Sequence, residues 1–131
     1  MKQKGFTLVE ILAVITIIGI LALITIPTVD SIIRGSKNDA YEVQKNSILA
    51  SLKNWAASKT LTLPDVNGET LTTTIGDLKK AGFIDVETKN PVNDLCFSNA
   101  TVLVITRANN NYTYTFADEN NIEFTESCEV E

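Results

Sequence analysis

Lys4-Gly5-Phe6-Thr7-Leu8-Val9-Glu10, running into residues 11–29 without another charge, carries the architecture of this 131-residue chain. About 20 consecutive apolar residues are enough to cross a hydrocarbon core of about 30 Å as a helix, so this segment is long enough to span a membrane. Glu10 interrupts the apolar block and is the only ionisable side chain between Lys4 and Asp30. A carboxylate held in hydrocarbon costs on the order of 2.5–3.5 kcal/mol even on lenient scales, and an intramembrane acid is therefore a functional residue by default. Working outward, residues 1–5 form a short basic leader bearing Lys2 and Lys4. A secretory signal would instead show an apolar stretch of about 7–15 residues and then a small-x-small cleavage site. Ile26-Pro27-Thr28-Val29-Asp30-Ser31 is no such site. An uncleaved anchor fits the hydropathy but gives Glu10 no purpose. Attraction to the positive helix end, about 0.3–1 kcal/mol, accounts for an acid but not for this hexapeptide around it.

Gly5-Phe6-Thr7-Leu8-Val9-Glu10, with Lys2 and Lys4 before it and the apolar run after it, resembles the N-terminal signature of the type IV pilin family, which includes the pseudopilins of type II secretion and the pilins of DNA uptake. The resemblance implies that a prepilin peptidase cuts after Gly5 on the cytoplasmic side and methylates the new amine of Phe6. It implies that Glu10 of one subunit neutralises the Phe6 amine of a neighbour, with intramolecular pairing as the competitor because both groups share a helical face. It also implies a helix weakened at Gly19 and Pro27, which can lose helicity between those points when subunits pack in a filament. The implied partners are copies of the chain and other pilins, an inner-membrane platform protein, an assembly ATPase, and lipid before assembly. The implied location is the cytoplasmic membrane with the N-terminus inside, then an extracellular filament.

Four segments follow: a leader over residues 1–5, a membrane and filament-core helix over 6–29, an amphipathic half over 30–58, and an α+β head over 59–131. In the amphipathic half, Tyr41, Ile48, Leu52 and Trp55, with Val43, Leu49 and Ala56, recur at helical spacing, while Lys37, Asp39, Glu42, Lys45 and Lys53 take the other side. Gly35-Ser36 is the expected break. In the head, Pro64-Asp65 and Asn67-Gly68 mark a loop, with a short strand at 70–74. Residues 75–83 form a short helix with Leu78 and Ala81 inward and Gly82 at its end. Residues 87–94 are loop, since the residue before Pro91 avoids helix. Residues 101–107 and 112–116 are strands of a hairpin turning at Asn109-Asn110-Asn111, and 122–125 adds a third strand to it. The fold class is α+β: a long N-terminal helix packed against a small antiparallel sheet, with Leu52 and Trp55 at the contact.

The chain contains no histidine and carries a net charge of −5; without Lys2 and Lys4 it has nine basic and sixteen acidic side chains, or −7. That balance disfavours phosphate binding, and Lys79, Lys80, Lys89 and Arg107 are too scattered to form a nucleic-acid patch. The residue inventory offers no general base near neutrality, no phosphate loop and no metal ligand set, so neither an enzyme nor a cofactor is expected. Asp118, Glu119, Glu123 and Glu126 do not match the spacing of a calcium loop. Asn99-Ala100-Thr101 and Asn111-Tyr112-Thr113 match the glycosylation acceptor pattern, which arises often by chance, and are taken as strand and turn residues. Cys96 and Cys128, even in number and on the exported side, favour a disulfide over two buried thiols. The function these features support is a structural filament subunit. The alternatives are a secretion pseudopilin, against which the cysteine pair counts, and a minor or competence pilin binding DNA or a receptor.

Overall fold

The computed structural model describes residues 4–59 and 62–130, with every side chain in those spans except Thr25 and Pro27. Residues 1–3 of the leader, 60–61 of the connecting loop and Glu131 lie outside the described residues. A helix α1 (Leu8–Ser58) is followed by β1 (Thr70–Thr74), α2 (Ile75–Lys80), β2 (Cys96–Phe97), β3 (Val102–Ala108), β4 (Asn111–Phe116), a 3-10 turn (Glu119–Asn121) and β5 (Phe124–Thr125). This is an α+β, pilin-like arrangement of one long N-terminal helix and a small antiparallel sheet. The chain divides into two compact units, Met1–Lys37 and Asn38–Glu131.

In the first unit the helical backbone runs through Gly19, Pro27, Gly35 and Ser36 alike. The break expected at Gly35-Ser36 is absent. A single interior glycine costs only about 1 kcal/mol relative to alanine, which a long hydrogen-bonded ladder absorbs. Apolar side chains are exposed on every side, from Phe6 and Leu8 through Leu12, Ile15, Ile18 and Leu23 to Ile33. Such a surface needs an apolar surround, either lipid or other helices. Two hydroxyls along it are satisfied internally: Thr16 donates to the Leu12 carbonyl at 2.7 Å and Thr28 to the Ile24 carbonyl at 3.1 Å. Charge returns with an exposed Asp30–Arg34 pair at 3.1 Å.

In the second unit Ile48, Leu52 and Ala56 of α1 pack with Ile75, Leu78, Ile84, Phe97, Leu103, Ile105 and Phe116 into one core, with Tyr41, Leu49 and Trp55 against it. The main sheet is antiparallel in the order β1-β3-β4. Its inner face follows from strand alternation: Leu103 opposes Phe116 and Thr73, and Ile105 opposes Tyr114 and Leu71. Asn109 and Asn110, with φ of 51° and 63°, make the two-residue turn between the paired Ala108 and Asn111. Left-handed conformation at both central residues suits the twist of a hairpin, and asparagine tolerates it.

Four expectations change here. Residues 122–125 do not extend the hairpin. Phe124 and Thr125 pair instead with Cys96 and Phe97 in a separate two-stranded sheet, and β1 is the third strand of the main one. The Cys96–Cys128 bridge, with Cα atoms 5.3 Å apart, holds the chain end beside β2 and so fixes that pairing. Val43 is 68% exposed, whereas Lys45 is buried. Tyr41, Lys45, Ile48, Leu52 and Ala56 follow one another in steps of four and three, so Lys45 belongs to the inward stripe and Val43 falls off it. The short helix ends at Lys80, with Ala81 exposed as its cap and Lys79 buried in the position Ala81 was expected to take.

Candidate processing and assembly site

Residues 4–7 have no regular structure, and the helix starts at Leu8. Two bonds fix that start. The Ile11 amide donates to the Thr7 carbonyl at 3.2 Å, and the Glu10 amide donates to the Thr7 hydroxyl at 3.2 Å. Thr7 is thus the N-cap: its side-chain oxygen satisfies an amide of the first turn that has no intrahelical acceptor. The order Thr7-Leu8-Val9-Glu10 is also that of a capping box, in which a threonine is followed three residues later by a glutamate. This signal was available in the sequence and was missed there, because Thr7 was counted only as part of the signature.

Gly5 stands in open space, with nothing within 4 Å of where a Cβ would be, and Phe6 is 78% exposed. Phe6 and Glu10 line one hollow together with Ile11, Val14 and Ile15, so the structure brings these two residues to one face. Glu10 lies exposed in the first turn of α1. Gly19 and the backbone of Pro27 are farther along the same helix, while Cys96 and Cys128 belong to the other compact unit.

Three cations of the second unit, Lys45, Lys79 and Arg107, are engaged by groups within it. Lys45 Nζ donates to Glu119 and to Glu42, each at 2.9 Å, and lies 5.1 Å from the centre of the Tyr41 ring. The Glu119 bond, then the Glu42 bond, pushes its pKa up despite burial. Lys79 Nζ donates to the Asn99 side-chain oxygen at 3.1 Å and to the Phe97 carbonyl at 3.4 Å, and burial pushes its pKa down. Arg107 is bonded to the Pro64 carbonyl and the Tyr112 hydroxyl. Lys79 and Arg107, two of the four cations considered for nucleic acid, are therefore spent internally. Asn99, one of the two acceptor-pattern asparagines, also donates to the Glu129 carbonyl at 2.6 Å, and Asn111 opens β4. Asp118 caps the 3-10 turn. Among the described residues no group of three or more histidine, cysteine, aspartate or glutamate side chains is placed to hold a metal ion.

Residues 1–26 match the prokaryotic N-terminal methylation motif. Over that stretch, 26 of the 131 residues, the chain is similar to type IV pilin-like proteins. The motif supports a pilin-like or pseudopilin substrate of prepilin peptidase, and together with the apolar helix it supports membrane anchoring before assembly. No curated protein and no solved structure is significantly similar to this chain.

Proposed function

We propose that the chain is a structural subunit of a type IV pilus or pilus-like filament, cut between Gly5 and Phe6, methylated at Phe6, and assembled by packing of its apolar helix. The observation that carries this reading is Glu10: the one ionisable side chain between Lys4 and Asp30, lying inside the methylation motif on a helix whose apolar surface is exposed all round.

The physical chemistry of assembly follows from those residues. In the bilayer and in a filament core the surroundings of residues 6–29 are equally apolar, so transfer between them gains little hydrophobic free energy and depends on packing and pairing. The Phe6 amine freed by cleavage and the Glu10 carboxylate both leave water in the filament, where an unpaired charge is costly. Pairing Glu10 of one subunit with Phe6 of the next satisfies both and sets the axial register. Contacts of this head-to-tail kind do not close on themselves and give an open helical polymer. A cytoplasmic ATPase acting through a platform protein drives extraction from the membrane, and Gly19 and Pro27 allow the intervening segment to unwind as helices pack. Residues 1–5 act as leader, 6–29 as anchor and filament core, 30–58 as the amphipathic half of the helix, and 59–131 as the head.

Pseudopilin heads often lack a disulfide, so the Cys96–Cys128 bridge counts against the secretion pseudopilin, although either exported location is oxidising enough to form it. Replacing Glu10 by Gln, which keeps size and removes charge, is expected to leave processing intact and to remove filaments from sheared cell fractions. Normal filament yield from Glu10→Gln would refute the pairing role.

A further inference from the structure

Processing of this chain would hydrolyse the bond between Gly5 and Phe6: water adds at the Gly5 carbonyl carbon, the C–N bond breaks, the leader leaves as a carboxylate and Phe6 keeps the amine. A carbonyl engaged in a helical ladder is a poor target, and proteolysis concentrates where backbone is exposed and free of such bonds. The apolar character of Phe6, Leu8 and Val9 works against freedom here. Near hydrocarbon an unpartnered amide costs several kcal/mol, so a helix in that setting tends to lengthen until its amides are satisfied. One more turn would route the Val9 amide to the Gly5 carbonyl, the scissile one, and the Glu10 amide to the Phe6 carbonyl.

The structure contains the device that prevents this. The Glu10 amide is already taken by the Thr7 hydroxyl at 3.2 Å, the first helical acceptor is the Thr7 carbonyl, and residues 4–7 stay outside the helix. We propose that Thr7 is a positioning residue for cleavage: its hydroxyl stops α1 two residues short of the scissile bond and so keeps the Gly5 carbonyl available to the peptidase. The proposal rests on the reading that the chain is cut between Gly5 and Phe6. It gives Thr7 a part distinct from that of Glu10, because the cap uses the backbone amide of Glu10 and leaves its carboxylate free for the assembled state.

The test uses the full-length precursor in detergent micelles with a purified prepilin peptidase, comparing wild type, Thr7→Val and Thr7→Ser. Thr7→Val keeps the shape and removes the hydroxyl; Thr7→Ser keeps the hydroxyl. The rate of appearance of the product beginning at Phe6 is followed by mass, and the Cα chemical shifts of Gly5 and Phe6 report whether the helix has grown. Given the usual worth of a threonine cap, Thr7→Val should be cut roughly five- to tenfold more slowly, with Gly5 and Phe6 shifted toward helical values, and Thr7→Ser should match wild type in both readouts. Cleavage of Thr7→Val at the wild-type rate, or Thr7→Ser as slow as Thr7→Val, would overturn the proposal and leave the cleavage reading standing. Slow cleavage of Thr7→Val without the change in shifts would overturn it equally, since the peptidase would then be contacting the hydroxyl itself. A wild-type precursor left uncut at Gly5 would remove the reading and this inference together.

Discussion

Lys45 lies on the inward stripe of α1, and its ammonium is held between Glu42 and Glu119 beside the Tyr41 ring. Those bonds raise its pKa above the ordinary lysine value, so the stability it contributes is complete below that value, near 10.5, and is lost as pH climbs through the raised one. Because both carboxylates are more than half exposed, the pairs are partly screened. Lys45→Met should therefore cost about 1 kcal/mol at neutral pH, and the alkaline loss should disappear with it. Urea unfolding followed by emission of Trp55, the single tryptophan, checks both. Lys79 acts in the opposite sense. Burial lowers its pKa, the unfolded chain binds that proton more tightly, and stability from this group rises with pH between the lowered value and the ordinary one. The Lys45→Met difference curve, rather than the raw profile, isolates the first effect. Gly76 offers a steric test, because a Cβ there would stand 3.0 Å from both the Asn99 Cβ and the Asn99 carbonyl oxygen. Gly76→Ala should destabilise by about 1–3 kcal/mol in the same assay, as overpacking does. None of these three positions was legible from residue type, since lysine predicts a solvated face and glycine a loop. Spacing held the signal for both lysines: Lys45 sits four residues after Tyr41 and three before Ile48, and Lys79 four after Ile75.

At the scale of elements, α2 shows how six residues hold a helix. Thr74 and Asp77 form a reciprocal capping box at its start. At its end Gly82, with φ of 81°, lets its own amide reach the Lys79 carbonyl and the Phe83 amide reach the Leu78 carbonyl, the paired closure that a left-handed residue after a helix allows. Gly82 as the terminator, the strand at 70–74 and the asparagine hairpin could all be read from turn chemistry, which is local. The place of 124–125 could not. A two-residue strand carries almost no pattern, and its partner is chosen by a disulfide joining residues 32 apart. Reduction of that bridge should cost roughly 3–4 kcal/mol by chain entropy, lowering the urea midpoint in the presence of dithiothreitol, with Cys96→Ala/Cys128→Ala as control. Leu52→Ala, in a fully buried α1 position, should cost about 2–5 kcal/mol in the same measurement.

At the scale of the whole molecule, one chain must satisfy two solvents. The Met1–Lys37 unit presents apolar side chains on every face, while Asn38–Glu131 buries its own around a sheet and a second helix. The first of these was plain in the sequence, because a helix apolar all round needs no periodicity to be recognised and a lone acid inside it stands out. The start of that helix was misjudged by two residues, since residue 6 is apolar and only the Thr7 cap excludes it. The account as a whole turns on what happens at Gly5 and Phe6, and intact mass of the protein recovered from sheared extracellular filaments addresses that most directly. The expected mass is that of the chain from Phe6, plus one methyl group and minus two hydrogens for the Cys96–Cys128 bridge. A full-length protein confined to membrane fractions, with Met1 retained and no added methyl, would contradict it.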